Sequence, residues 1–460
     1  MVAVTDAPPL LESTRRALDH RLARAQAEGR APSFVAGLVR DGELVWTGSS
    51  GTVDGAAPTP DTQYRIGSIT KTFVAVLVLR LRDEGRLDLG DRVETHLPGT
   101  SVGDRTVLQL LSHTAGIASE TPSPWWERTD GAVRPALADV LGPEPGRLLA
   151  GRHFHYSNAG FAVLGALVER LRGRPFGEVL AAEVLEPLGL RRTTLMPVAP
   201  HAQGFAVHPW ADLLLPEPAH DAGLMAPAGQ LWSTVADLSR FAAFLLDGDD
   251  RVLSLDSLRE MREPVARTDP EAGGYGLGLQ ASGGKHGLVG HGGSMPGFLA
   301  GLDLAPDAGL ALVAFANATS GPDVGALVED LFEAVVSAEP RFPEAWAPLP
   351  EAEPALVALT GPWYWGAAPF AIKLHADRYL ELVTLGNRGR ESRFRPQADG
   401  TWTGRDGYYR GETLTVVRDA DGAVTHLDLA SFVLTREPYA PADVVPGGVG
   451  PTGWGTSPEV

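Results

Sequence analysis

Residues Phe73 to Leu79, Phe-Val-Ala-Val-Leu-Val-Leu, are apolar on every side of any helix they form. A helix without a polar face belongs in the middle of a protein. The stretch is too short to cross a bilayer, so the centre of a folded domain is the place left for it. Just upstream lies Ser68-Ile69-Thr70-Lys71. In a helix, positions i and i+3 share a face, which brings the Ser68 hydroxyl and the Lys71 amine towards hydrogen-bonding distance. Ser68 then stands at the N-terminal end of a buried helix, where unpaired backbone N–H groups favour developing negative charge. Lysine is scarce in this chain: of 39 basic residues only Lys71, Lys285 and Lys373 are lysines. Arginine serves as a surface cation but cannot give up its proton near neutral pH, so a lysine here points to an amine that titrates. To act as a base, that amine must move from about 10.4 towards about 7, within reach of desolvation and nearby charge.

The composition narrows the function. At 460 residues the chain has room for two or three domains, and 44% apolar residues allow sizeable cores. The net charge is −18 and no basic run of five residues occurs, so nucleic acid and membrane surfaces are poor partners. There is no cysteine, which removes disulfides, thiolate catalysis and Cys-based zinc sites. Met1 to Glu28 lacks the features of a signal peptide, so a cytoplasmic protein is expected.

Along the chain, Leu10 to Ala27 reads as an amphipathic helix. Phe34 to Val39 and Leu44 to Gly48 read as strands joined at Asp41-Gly42, a hairpin signal. Helical patches follow at Val107 to Leu111, Phe161 to Leu171 and Phe176 to Leu185, then strands at Gly276 to Gln280, Phe298 to Leu304 and Leu310 to Asn317, then a closing helix over Val324 to Val336. Strands at both ends with helices between predict one sheet assembled from the two ends of the domain. Residues 1–338 are assigned to this domain and 339–357 to a linker, since Glu339 to Pro354 carries five prolines. Residues 358–437 mix aromatic and β-branched residues with turns at Asn387-Arg388-Gly389, Asp399-Gly400, Asp406-Gly407 and Asp421-Gly422, as in a small antiparallel barrel or sandwich. Residues 438–460 are rich in Gly and Pro and are expected to be a disordered tail.

Two further segments carry chemistry. Tyr156-Ser157-Asn158 offers a phenol that can relay a proton and an amide that can hold a carbonyl. By itself a turn capping the helix from Phe161 explains it as well. His291-Gly292-Gly293-Ser294 lets a substrate lie against backbone, and the Ser294 N–H can complete an oxyanion hole with that of Ser68. By itself it also reads as a glycine-rich loop. Gly99-Thr100-Ser101-Val102-Gly103 matches a hydrolase nucleophile elbow, but no buried strand precedes it and no helix follows directly, so an exposed loop is expected. His153 and His155 alternate as on one strand face with no carboxylates nearby in sequence, so no metal site is assigned.

Taken in order, the three motifs resemble the serine β-lactamase and penicillin-binding-protein family, on its class C-like, esterase and DD-peptidase side. Tyr64 to Lys71 looks like the nucleophile motif, Leu110 to Gly116 like the family's structural turn, and Phe154 to Glu169 like its Tyr-x-Asn helix. Gly229 to Phe241 and Gly290 to Phe298 match two later segments, so the likeness spans roughly residues 30 to 320. It implies an α/β fold: a mixed sheet core with a helical insert, here followed by a small antiparallel β domain such as some members carry. It also implies an acyl-enzyme on Ser68, with Lys71 and Tyr156 sharing the base role. Asn158 positions the substrate, Gly292, Gly293 and Ser294 line it, and His291 contacts a carboxylate or leaving group. Where penicillin-recognising members have Lys-Thr-Gly, this chain has His291-Gly292-Gly293, which weighs against efficient β-lactam hydrolysis. The expected substrate is a small-molecule or short-peptide ester or amide, with no cofactor. A slow penicillin-binding sensor, or an acyltransferase or thioesterase acting on peptides, is the alternative.

Overall fold

The computed structural model describes residues 9–122, 126–128, 135–269, 273–339, 345–349, 351, 353–376, 378–386 and 389–440. Asn387 and Arg388 of one expected turn, the tail beyond 440, and positions 340–344, 350 and 352 of the Pro-rich segment lie outside the described residues. Two compact units emerge, Met1–Arg341 and Phe342–Val460.

The first unit is built on one sheet. Helix α1 (Glu12–Glu28) leads into strands β1 (Ser33–Arg40) and β2 (Glu43–Gly51), which pair across the Asp41-Gly42 turn. Next come helices α2 (Thr70–Asp83), α3 (Val107–Leu111), α4 (Asn158–Arg172) and α5 (Val235–Asp247). The remaining strands are β3 (Ala266–Asp269), β4 (Gly273–Tyr275), β5 (Gln280–Ser282), β6 (Val289–Met295), β7 (Phe298–Ala305) and β8 (Leu310–Ala316), and helix α6 (Val324–Ala338) closes the unit. The sheet order is β2-β1-β8-β7-β6-β5-β4-β3. Strand β1 therefore pairs with β8, Phe34 opposite Ala316 and Arg40 opposite Leu310, so the two ends of the unit share one sheet. Each pairing within it is antiparallel. The mixture is of helices with strands.

Period-2 alternation sorts the side chains between the two faces. Phe34, Ala36 and Leu38 join Leu310 and Leu312 in a core with Leu18 and Leu22 of α1 and Leu327 and Leu331 of α6. Val35, Val39, Val313 and Phe315 belong to the other core, with α2, α4 and α5. On that side α2 is buried at every residue from Thr70 to Leu79. Phe73 stacks on Phe241 of α5 with ring centroids 3.7 Å apart. Burying one such ring stabilises the fold by about 1.5–3 kcal/mol.

Three expectations change. The strand expected over Gly276–Gln280 is a hairpin connection, because its backbone bonds go elsewhere: Gly276 N–H to Leu279 O, Leu277 N–H to Met261 O and Gly278 N–H to Leu111 O. The helix expected at Phe176–Leu185 continues to Leu188 through a wider π turn over Ala181–Leu185. His153 and His155 occupy irregular backbone, not a strand; His153 is exposed, and His155 meets the Ser119 hydroxyl at 3.2 Å. Gly99–Gly103 is a run of turns before α3, as expected of a loop.

In the second unit, strands Gly361–Trp365, Ala368–Leu374, Leu380–Thr384, Ser392–Pro396, Trp402–Gly404, Thr413–Arg418, Val424–Leu429 and Phe432–Leu434 pair in chain order. Tyr364 and Thr435 exchange backbone hydrogen bonds at 2.7 and 2.9 Å, which joins the first strand to the end of the last. The result is a small antiparallel barrel filled by residues such as Trp363, Phe394, Trp402 and Leu427. No helix among the described residues is long and apolar enough to cross a membrane.

Candidate active site

Ser68 sits in a 3-10 turn, Gly67–Ile69, that runs directly into α2. Its N–H falls in the first turn, where no preceding helical carbonyl reaches it. The turn is held from within by the Thr70 hydroxyl, which donates to Gly67 O at 2.7 Å and accepts from Leu231 N–H at 3.1 Å. Against it lies β6. The segment His291-Gly292-Gly293-Ser294 is thus not a loop but strand, paired with Gly301 and its neighbours on β7. The two backbones nearly touch. A Cβ on Gly67, whose φ is +52°, would come within 2.6 Å of Ser294 N, and one on Gly293 would come within 2.0 Å of Ile66 O. Only glycine fits both positions, and the consequence is that the Ser68 turn and the Ser294 N–H border one space.

Lys71 is fully buried, and its Nζ has three partners: Ser68 Oγ at 2.9 Å, Asn158 Oδ1 at 2.7 Å and Ala228 O at 2.6 Å. Burial pulls its pKa down to about 7, against the pull of Glu120 and Glu127, which favour the cation. The three contacts fix what the neutral amine must do. Asn158 Oδ1 and Ala228 O can only accept, so they take the two remaining N–H bonds. The lone pair is left facing Ser68. The Asn158 amide cannot turn over, because its Nδ2 donates to Glu120 Oε1 at 2.6 Å.

Tyr156 places its phenol in hydrogen-bonding contact with Ser68, and burial keeps that phenol protonated well above its ordinary range. The tyrosine ring is itself positioned from below. His113 stacks on it with centroids 4.1 Å apart, accepts the Ser157 N–H on Nδ1 at 3.0 Å and offers its carbonyl to His155 N–H at 2.8 Å. His113 does this with φ at +56°, a conformation that costs a non-glycine residue energy and that the surrounding turn imposes. Ser157 caps α4, accepting from Gly160 N–H at 3.0 Å.

His291 differs from the expectation that it contacts a substrate carboxylate. It is 5% exposed, and both ring nitrogens are engaged: Nδ1 with Gly292 O at 2.6 Å and Nε2 with the Tyr275 hydroxyl at 3.0 Å. Since Gly292 O only accepts, Nδ1 carries the hydrogen and Nε2 accepts from Tyr275. Burial, reinforced by the Lys71 charge, brings the imidazole pKa down to about 4, so no cation is available for a carboxylate.

Ser68, Tyr156, His291, Gly292, Gly293 and Ser294 border one cavity of about 590 Å³, together with Gln280, Leu299, Ala300 and the segment Pro322–Gly325. Asn158 lies behind Lys71 and outside this lining, bonded to the amine. Glu120, Tyr275 and Asp323 do not stand out in the sequence, and His113 does so only as part of the Leu110–Gly116 turn, since each matters through a partner distant along the chain. Among the described residues no group of three or more histidines and carboxylates is arranged to hold a metal.

The chain is similar to known proteins along most of its length. The family model described as Beta-lactamase matches residues 18–335, and a domain of unknown function matches residues 352–436. Penicillin-binding protein 4 of Amycolatopsis lactamdurans is 31% identical over 361 residues, covering 72% of this chain and 93% of that protein. The D-stereospecific amidohydrolase from Streptomyces sp. is 29% identical over 70% of this chain and 98% of its own, with a TM-score of 0.59. The structure of SurE with D-Leu is 26% identical over 93% of this chain and 100% of its own, with a TM-score of 0.57.

Proposed function

The chain belongs to the Beta-lactamase family, and from that premise we propose that it is a serine hydrolase that forms an acyl-enzyme on Ser68 and cleaves esters or amides. The contact between Lys71 Nζ and Ser68 Oγ at 2.9 Å, with the other two partners of Nζ obligate acceptors, carries this reading. As Ser68 Oγ attacks the carbonyl carbon, its proton passes to the Lys71 lone pair. The oxyanion gathers charge beside the N–H groups of Ser68 and Ser294. Collapse of the tetrahedral intermediate expels the alcohol or amine, which needs a proton, and the Tyr156 phenol relays it from Lys71 to the leaving atom. The sequence reading gave Lys71 and Tyr156 a shared base role; the buried, protonated phenol favours relay over base. Water then attacks the acyl carbonyl, gives its proton back by the same route and frees Ser68. Asn158 holds the amine and Glu120 holds Asn158, so both are positioning residues in this scheme.

D-configured amino-acyl amides are the first amides to try, since one similar enzyme is a D-stereospecific amidohydrolase and another relative's structure was determined with D-Leu. The absence of a cation at His291 weighs against β-lactams as good substrates. The test is intact-protein mass over time with a p-nitrophenyl ester and with benzylpenicillin, for the native protein and Ser68→Ala. Ester turnover that vanishes in Ser68→Ala is expected, with little penicillin adduct. A lasting penicillin adduct would favour the sensor reading, and turnover that survives Ser68→Ala would end the proposal.

A further inference from the structure

The cavity beside Ser68 has an unequal charge lining. Among the described residues, its polar side chains are Ser68, Tyr156, Gln280, His291 and Ser294, all neutral, and its one charged side chain is Asp323. Resting on the hydrolase reading above, we propose that Asp323 selects substrates carrying a fixed positive charge away from the scissile bond: ammonium-bearing esters or amides, in preference to neutral and still more to anionic ones.

Asp323 is the residue before α6, and its Oδ1 accepts Ala326 N–H at 2.9 Å. The cap uses the carboxylate as an acceptor and leaves its charge in place. Two neighbouring charges act against it. The start of α6 carries a positive helix end of about half a unit charge, which a full carboxylate outweighs. Arg21 and Arg24 border an adjacent cavity together with Asp323 and Glu28, and the two guanidinium groups share the Asp330 carboxylate, at 3.0 and 3.1 Å, which offsets one of their two charges. Glu120 and Glu127 act on Lys71 and add to the negative field around the nucleophile. A carboxylate-bearing substrate entering here meets Asp323 with no cationic side chain among the described lining residues to offset it, whereas an ammonium group meets its complement.

The experiment uses two isosteric pairs of aryl esters, one pair differing in the acyl chain and the other in the alcohol. One member of each pair carries trimethylammonium and the other tert-butyl at the same position. The readout is the cationic-to-neutral ratio of kcat/KM, in native protein and in Asp323→Asn. Asparagine caps helices as well as aspartate does, so the variant removes the charge and keeps the fold. In at least one pair the ratio is expected to fall by about two- to fivefold in Asp323→Asn, the range of an exposed ion pair, and to fall with added salt in the native protein. An unchanged ratio in both pairs overturns the proposal. Hydrolysis of the neutral esters by Ser68→Ala at the native rate would instead overturn the hydrolase reading, and this inference with it.

Discussion

Two nitrogen bases lie buried at the candidate site, and burial moves both in the same direction but leaves them in different states. Both Lys71 and His291 lose affinity for protons because water is excluded. For Lys71 the shift ends at about 7, where the amine exchanges protons at working pH. For His291 it ends at about 4, where the ring is neutral throughout that range. Their partners complete the difference. The neutral amine has two obligate acceptors and one hydroxyl, so its lone pair is aimed at Ser68. The imidazole has spent both nitrogens on Gly292 and Tyr275. Desolvation makes a base only where a lone pair is left facing the reacting group; elsewhere it makes a fixed strut.

The strongest way to break this contrast is Lys71→Arg, which keeps positive charge and removes titration. Activity on the best ester should drop by about 10²–10⁴-fold, the range for losing a general base. Retention of most of the native kcat would show that Lys71 is not the base. The pH profile sharpens the contrast next. Lys71 must lose its proton to accept one from Ser68, so kcat/KM should rise tenfold per pH unit below about 7 and level off above it. Glu120 raises the Lys71 pKa, so in Glu120→Gln the inflection should move to lower pH. A profile that moves upward, or one set by a group near pH 4, would contradict the assignment. The smallest effect on turnover is expected from Tyr275→Phe. It leaves His291 Nε2 buried without a donor and should cost about 1–3 kcal/mol of stability, read from denaturant unfolding, with kcat changed by less than about tenfold. A collapse of kcat in a well-folded Tyr275→Phe protein would move His291 from scaffold to chemistry.

The legible part of this molecule is the part written in local periodicity. The Ser68–Lys71 spacing, the apolar α2, the Asp41-Gly42 hairpin and the mostly apolar β7 and β8 all depend on neighbours within a few residues. What the sequence withheld depends on distant partners. Gly276–Gln280 has the composition of a strand, yet Met261 and Leu111 claim its amides. The glycines of His291-Gly292-Gly293-Ser294 read as a loop because their reason, close passage against Ile66 and Gly67, comes from more than two hundred residues away. The engagement of His291 Nε2 required Tyr275, and the aim of the Lys71 lone pair required Asn158, Glu120 and Ala228 together.

The pairing of β1 with β8 also sets a clock. Phe34 finds its partner only when Ala316 exists, and Ile66 meets Gly293 only when β6 has been made. At about 5–20 residues per second of synthesis, the first strand waits tens of seconds for its sheet. During that time Ser68 and Lys71 are present in the nascent chain, but the wall bearing Ser294 is not. Truncated products ending before β6 therefore hold Ser68 in an unfinished cleft, and on the proposed mechanism they are expected to be inactive. The long loop closure that slows folding thus ties assembly of the candidate site to the near-completion of the first unit.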